Sequence, residues 1–161
     1  MSPAPANPRR SRGTSRSEGF RYTVDASVFV NAFNTHERGH AESLRILTAI
    51  QEGGDPIIVP TILVTEIASA IARVTDDSAG ALRYANAAAA LPHVTLVALT
   101  NATARRAAEL AATYRLRGAD AVYLAVARRY ATTLVSRDDE QVTRGSRVAV
   151  CQTPEQALHD R

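Results

Sequence analysis

The stretch FRYTVDASVFVNAF, residues 20–33, changes character at Asp25. Arg21 to Val24 read as a short β-strand, and the apolar residues that follow read as a helix, so one acid stands at the junction of two elements that both belong in a core. A strand that feeds straight into a helix is the opening of an α/β unit. Ser27 is placed to cap the helix. Asp25 itself reads either as a turn or cap residue or as an acid facing a crevice.

Working outward, the alternation continues. Residues 40–51 read as a helix with Leu44, Leu47 and Ile50 on one face, ended by Gly53 and Gly54. DPIIVP, residues 55–60, is a strand apolar throughout, the pattern of a central strand covered on both sides. Pro60 is expected to open a helix through Val74, with Ile62, Leu63, Ile67, Ala70 and Ile71 as its core stripe. Residues 76–91 form an alanine-rich helix ended by Pro92, and HVTLVAL, residues 93–99, a third strand. Thr100 or Asn101 caps a helix running to Leu116, Gly118 breaks it, and Ala119 to Tyr130 form another. TTLVS and RVAVC read as the last two strands. Thr153, Pro154 and Gln156 then start a short helix with a reciprocal cap. Together these predict an α/β fold: a three-layer α/β/α sandwich around a mostly parallel central sheet of about five strands.

The 161 residues and 45% hydrophobic content suit one domain, expected over residues 20–161. Residues 1–19 are rich in Pro, Ser, Gly and Arg, carry the entire formal charge of +3, and read as a disordered basic extension. The remainder holds 15 arginines against 15 acids and is formally neutral. No apolar run approaches the ~20 residues needed to span a bilayer, and nothing resembles a secretory signal, so a soluble cytoplasmic protein without membrane contact is expected. Cys151, the one cysteine, lies in an apolar run and reads as core, which leaves neither a disulfide framework nor a thiolate cluster. The chain contains no lysine, so any lysine-dependent mechanism is excluded. It also has no phosphate-binding G-x-x-x-x-G-K loop and no G-x-G-x-x-G turn. The histidines at 36, 40, 93 and 159 show no zinc-helix spacing and read as surface or packing residues.

Four acids are placed where a structural role alone does not account for all of them. Asp25 follows the first strand directly and Asp138 follows TTLVS by two residues, so both should emerge at the carboxyl edge of the sheet, where ligand sites of open parallel sheets lie. Glu66 falls on the apolar stripe of its helix, where an uncompensated carboxylate is costly. Asp120 opens ADAVYLAVA, a helix apolar nearly all round, at the turn where the helix dipole favours an anion. Each acid alone could be a cap, a dipole partner or a solvated loop residue. Together, packed carboxylates repel unless a cation neutralises them. Oxygen-only donors select Mg²⁺ or Mn²⁺, and such ions activate water against phosphodiesters.

With these residues on the page, the chain resembles the PIN-domain ribonucleases, and among them the VapC-type toxins of toxin–antitoxin pairs. YTVDASVFVNAF resembles the family's opening strand, acid and helix, and IIVPTILVTEIASAIAR the segment whose helix presents a glutamate. YRLRGADAVYLAVARRY is similar to its third motif, and TTLVSRDDE to the final strand with a hydroxyl-x-Asp ending. The resemblance implies that Asp25, Glu66, Asp120 and Asp138 are catalytic metal ligands for Mg²⁺ or Mn²⁺. Ser27 and Ser136 would orient them, and Asp139 would assist Asp138 or substitute for it. It further implies a homodimer, endonucleolytic cleavage of RNA, and a small VapB-like antitoxin covering the site. Arg115, Arg117, Arg128, Arg129 and Arg137 are candidate contacts for RNA phosphates. A second reading, in which the fold serves as a catalytically inactive protein- or RNA-binding scaffold, stays open at this point.

Overall fold

In the computed structural model, which describes residues 19–161, five segments form one sheet. They are Tyr22–Val24 (β1), Ile57–Pro60 (β2), Val94–Val97 (β3), Thr133–Val135 (β4) and Cys151–Gln152 (β5). The order is β3-β2-β1-β4-β5 and every pairing is parallel. The basic extension read from the sequence lies, apart from Gly19, outside the described residues.

Parallel neighbours need crossover connections, and helices supply them. Ala26–Phe33 (α1) and His40–Gly53 (α2) join β1 to β2; Ile62–Thr75 (α3) and Ser78–Ala89 (α4) join β2 to β3. Asn101–Tyr114 (α5) and Gly118–Tyr130 (α6) lead to β4, Asp139–Gly145 (α7) leads to β5, and Pro154–His159 (α8) follows. No described helix is long and apolar enough to cross a membrane. Burial on both faces explains why β1 and β2 are apolar without alternation: every residue of both strands is buried. Helix α6 packs against β1, β2 and β4 and is itself covered by α5, so its residues Ala121 to Ala127 are all buried. Cys151 is a free, buried thiol, and burial pushes its pKa up to about 11.

Three local expectations are corrected, and one further helix appears. Asp25, not Ser27, caps α1: its Oδ2 accepts from the Ser27 N–H at 2.8 Å. Pro60 does not open a helix but ends β2, and Thr61 precedes α3. This is tolerated because β1 meets β2 at a single register pair, Tyr22 with Ile57, so no β1 carbonyl requires a donor at Pro60. On the other side the Thr61 N–H continues the ladder to the Val97 carbonyl at 2.9 Å. RVAVC contributes only its last residue to β5, because the Val148 and Ala149 N–H groups both turn back to the Gly145 carbonyl. Finally, the segment after Asp138, which carries no clear apolar period, forms α7.

Three helices end on non-glycine residues in the left-handed region: Asp76, Arg115 and Ala131. Ala131, at φ 50, closes α6 by donating its N–H to the Ala127 carbonyl. A Cβ is unfavourable in that conformation. Ala131→Gly is expected to raise stability by about 0.5–1 kcal/mol, less whatever the more flexible unfolded chain takes back. Urea unfolding of the two proteins measures it.

Candidate functional site

β1, β2 and β4 all point their carboxyl ends to one edge, and four acids meet the solvent there. Asp25 leaves β1 with its N–H donated to the Val135 carbonyl at 2.9 Å, which ties it across to the end of β4. Only 8% of its surface is exposed. Glu66 sits on α3, the helix that follows β2, half-buried. Asp120 lies in the first turn of α6. Asp138 caps α7, its Oδ1 accepting from the N–H groups of Glu140 and Gln141 at 2.9 and 3.0 Å.

Electrostatics show that these groups sense one another. Burial raises the Asp25 pKa, and the Asp138 charge adds to it, while hydrogen bonds from Ser27 and Gln141 pull it down. Glu66 is raised by burial and by Asp25, against the opposing hydrogen bond from Tyr123. Asp120 is pushed up to about 6, first by burial and then by Asp25 and Asp138, with Arg117 opposing and Glu66 adding. Like charges in a half-dry crevice disfavour their own ionisation. Yet among the described residues no three Asp, Glu, His or Cys side chains converge closely enough to hold a metal ion as they stand.

Several side chains brace the acids. The Tyr123 hydroxyl, wholly buried on α6, donates to Glu66 Oε2 at 2.7 Å, and this fixes one carboxylate oxygen of a different helix. Ser136, also wholly buried, accepts the Asp138 N–H at 3.0 Å on its Oγ, and Ser27 Oγ accepts the Arg137 N–H at 3.1 Å. Both hydroxyls therefore hold the backbone of the segment that carries Asp138. Arg117 Nη1 lies 3.3 Å from Asp138 Oδ2 on an exposed side chain. Asp139 is exposed and lines a separate polar cavity of about 650 Å³ with Arg38, Glu42, Arg137 and Glu155, which none of the four acids lines.

The other arginines divide by position. Arg115 ends α5 and offers its carbonyl to the Arg144 guanidinium, beside the acid edge. Arg137 pairs with Glu155 at 2.7 Å and lies where a side chain at Gly39 would sit. Arg128 and Arg129 occupy the last turn of α6, roughly 12–14 Å along the axis from Asp120 at the helical rise, and line a cavity of about 430 Å³ with Arg106.

Two residues of this edge escaped the sequence reading. Tyr123 had a signal: a tyrosine in a helix that is apolar all round needs a partner for its hydroxyl. Gln141 had none. It is 0% exposed, its Nε2 donates to the Asp120 carbonyl at 3.3 Å, and it sits on a helix whose short sequence reads as a solvated loop.

Comparison with known proteins agrees with this architecture. The PIN domain family profile matches residues 22–145. No curated protein matches the sequence. Solved structures do match. VapC20 of Mycobacterium tuberculosis, described as a sarcin-ricin-loop-cleaving toxin, superposes with a TM-score of 0.66 at 18% identity, covering 77% of this chain and 95% of that one. FitAcB of Neisseria gonorrhoeae gives 0.63 at 17%, covering 83% and 98%. VapBC2 of Rickettsia felis, solved with a promoter DNA fragment, gives 0.62 at 12%, covering 83% and 98%. At such identities the superpositions establish the fold, while the profile match runs from β1 to the last residue of α7, across every acid of the edge; on that match the chain belongs to the PIN domain family.

Proposed function

We propose that this protein is a Mg²⁺- or Mn²⁺-dependent endoribonuclease that hydrolyses RNA phosphodiester bonds, and that it is the toxin of a VapBC-type pair. The observation that carries the reading is the gathering of Asp25, Glu66, Asp120 and Asp138 at one sheet edge, with the first three held above the ordinary carboxylate pKa by burial and by one another. A group of repelling acids is stabilised by a cation, and an all-oxygen donor set suits a hard divalent ion. Such an ion, when bound, supplies a water of lowered pKa and stabilises the charge on the phosphate oxygens.

The chain's own part is positioning. The α1 and α7 N–H groups each hold one oxygen of Asp25 and Asp138, and Tyr123 holds one of Glu66. Asp120, half-buried and pushed up to about 6, is an acid whose rise a bound cation would offset. Arg117, which pairs with Asp138, and Arg115, two residues before it, are assigned to RNA phosphates, with binding that weakens as salt rises. Arg137 is committed to Glu155, and Arg128 and Arg129 lie too far along α6 to reach the phosphate being cleaved. The neighbours solved as antitoxin complexes support a small VapB-like protein as partner. A cytoplasmic homodimer completes the proposal on the family resemblance.

One observation favours the scaffold reading instead: the acids do not converge as they stand. Thermal melting in EDTA, Mg²⁺ and Mn²⁺ separates the two. Under the nuclease reading Mn²⁺ stabilises the wild type, by about 2.7 kcal/mol at 100 times its Kd, and Asp25→Asn abolishes both this shift and the cleavage of structured RNA. The scaffold reading expects neither effect in the wild type.

The metal-free protein also carries a pH signature. Folded pKa values raised above the unfolded ones make the folded state bind more protons, so this contribution to stability is full below the unfolded pKa and is lost as pH rises through the folded one. For Asp120 that window runs from about 4 to about 6, and Asp25 and Glu66 act in the same direction. In EDTA the melting temperature is expected to fall as pH rises from about 4 through about 6. Asp120→Asn should flatten that fall and stabilise the metal-free protein at neutral pH while removing cleavage.

A further inference from the structure

Gln141 is one of the largest side chains in the protein with no exposed surface, and it sits among the acids rather than in the hydrocarbon core. Two of its donors can be followed. Its backbone N–H donates to Asp138 Oδ1 at 3.0 Å, and its Nε2 donates to the Asp120 carbonyl at 3.3 Å. One residue therefore ties together two of the four acids, which come from α6 and from the turn after β4.

A third group, Oε1, is buried and has no partner. Leaving an amide oxygen unpaired is costly, and an apolar side chain of equal volume would avoid the cost. The NH₂ end explains the orientation. It donates to the Asp120 carbonyl, and turning the amide over would set its oxygen against that carbonyl. We infer that Gln141 is a positioning residue of the metal site: its amide ties the Asp120 backbone to α7, and its own backbone N–H locks Asp138 to the same frame. The inference rests on the nuclease reading above. It also gives α7 a role, because the helix that Asp138 caps carries the side chain that reaches Asp120.

The test uses the full chain and Mn²⁺ alone, read as the Mn²⁺ concentration giving half of the maximal thermal stabilisation. Gln141→Met keeps the volume and removes the donors, so in EDTA it should melt at or above the wild-type temperature. Its Mn²⁺ midpoint should rise by about 10-fold or more, the range found for side chains that orient metal ligands. Gln141→Asn keeps the amide but draws it back from the Asp120 carbonyl, and should show the same rise. It decides the matter if the Met variant fails to fold. Midpoints within about twofold of wild type in the folded variants overturn the assignment, since purely structural packing would leave metal affinity alone. If the wild type itself does not respond to Mn²⁺, the nuclease reading falls and takes this inference with it; a responsive wild type beside unaltered variants removes only Gln141.

Discussion

Repulsion between carboxylates in a poorly solvated crevice is the constraint around which the carboxyl edge of the sheet is organised. Asp25 has 8% of its surface left in water, and its charge raises the pKa values of Glu66 and Asp120. Several donors are turned to this problem: the first N–H groups of α1 and α7, the Tyr123 hydroxyl and the Arg117 guanidinium. Burial first, and then the neighbouring charges, still push Asp120 up to about 6. A fold that brings together two acids from strand ends and two from helices gives up stability at neutral pH to do so.

That compromise is affordable because the rest of the molecule is conventional. β1, β2 and α6 bury apolar residues on every side, and the one free thiol is packed and unreactive. Charge elsewhere is spent on exposed pairs such as Arg106 with Glu109 and Arg144 with Glu140, which contribute little individually. The acids of the edge differ from these in having few cationic partners. Arg117 is the one described arginine within salt-bridge distance of any of the four.

Much of this was legible from the chain, and what was not has physical reasons. Asp25, Glu66 and Asp120 stand in or against apolar runs, which is what sequence reading detects, and Asp138 is placed by following the strand TTLVS by two residues. The order of strands and helices followed from the same periodicity. The failures lie where tertiary context overrides local preference. Ser27 has the residue type of a cap, but it lies inside α1, whereas Asp25 stands immediately before its first residue and accepts the Ser27 N–H. Pro60 has the residue type of a helix opening, but the short pairing of β1 with β2 leaves a strand position at which a missing N–H costs nothing. α7 is only one to two turns long, and DEQVTRG shows no apolar stripe, so neither the helix nor buried Gln141 left a pattern to read. Tyr123 and Gln141 share a further property: their importance lies in a bond to another element, which no local window contains.

The single register pair between β1 and β2 has a consequence for how the molecule comes apart. With so thin a ladder, β3–β2 and β1–β4–β5 behave as two half-sheets, and α6, packed on β2, β1 and β4 together, is the splint across the seam. Amide exchange at the middle of the sheet is then governed by the lifting of α6 rather than by fraying along the strands. Asp120 and Tyr123 ride on that helix. Opening the seam would therefore carry Asp120 away with α6 and part Glu66, on the β2 side, from Asp25 and Asp138 in the same event.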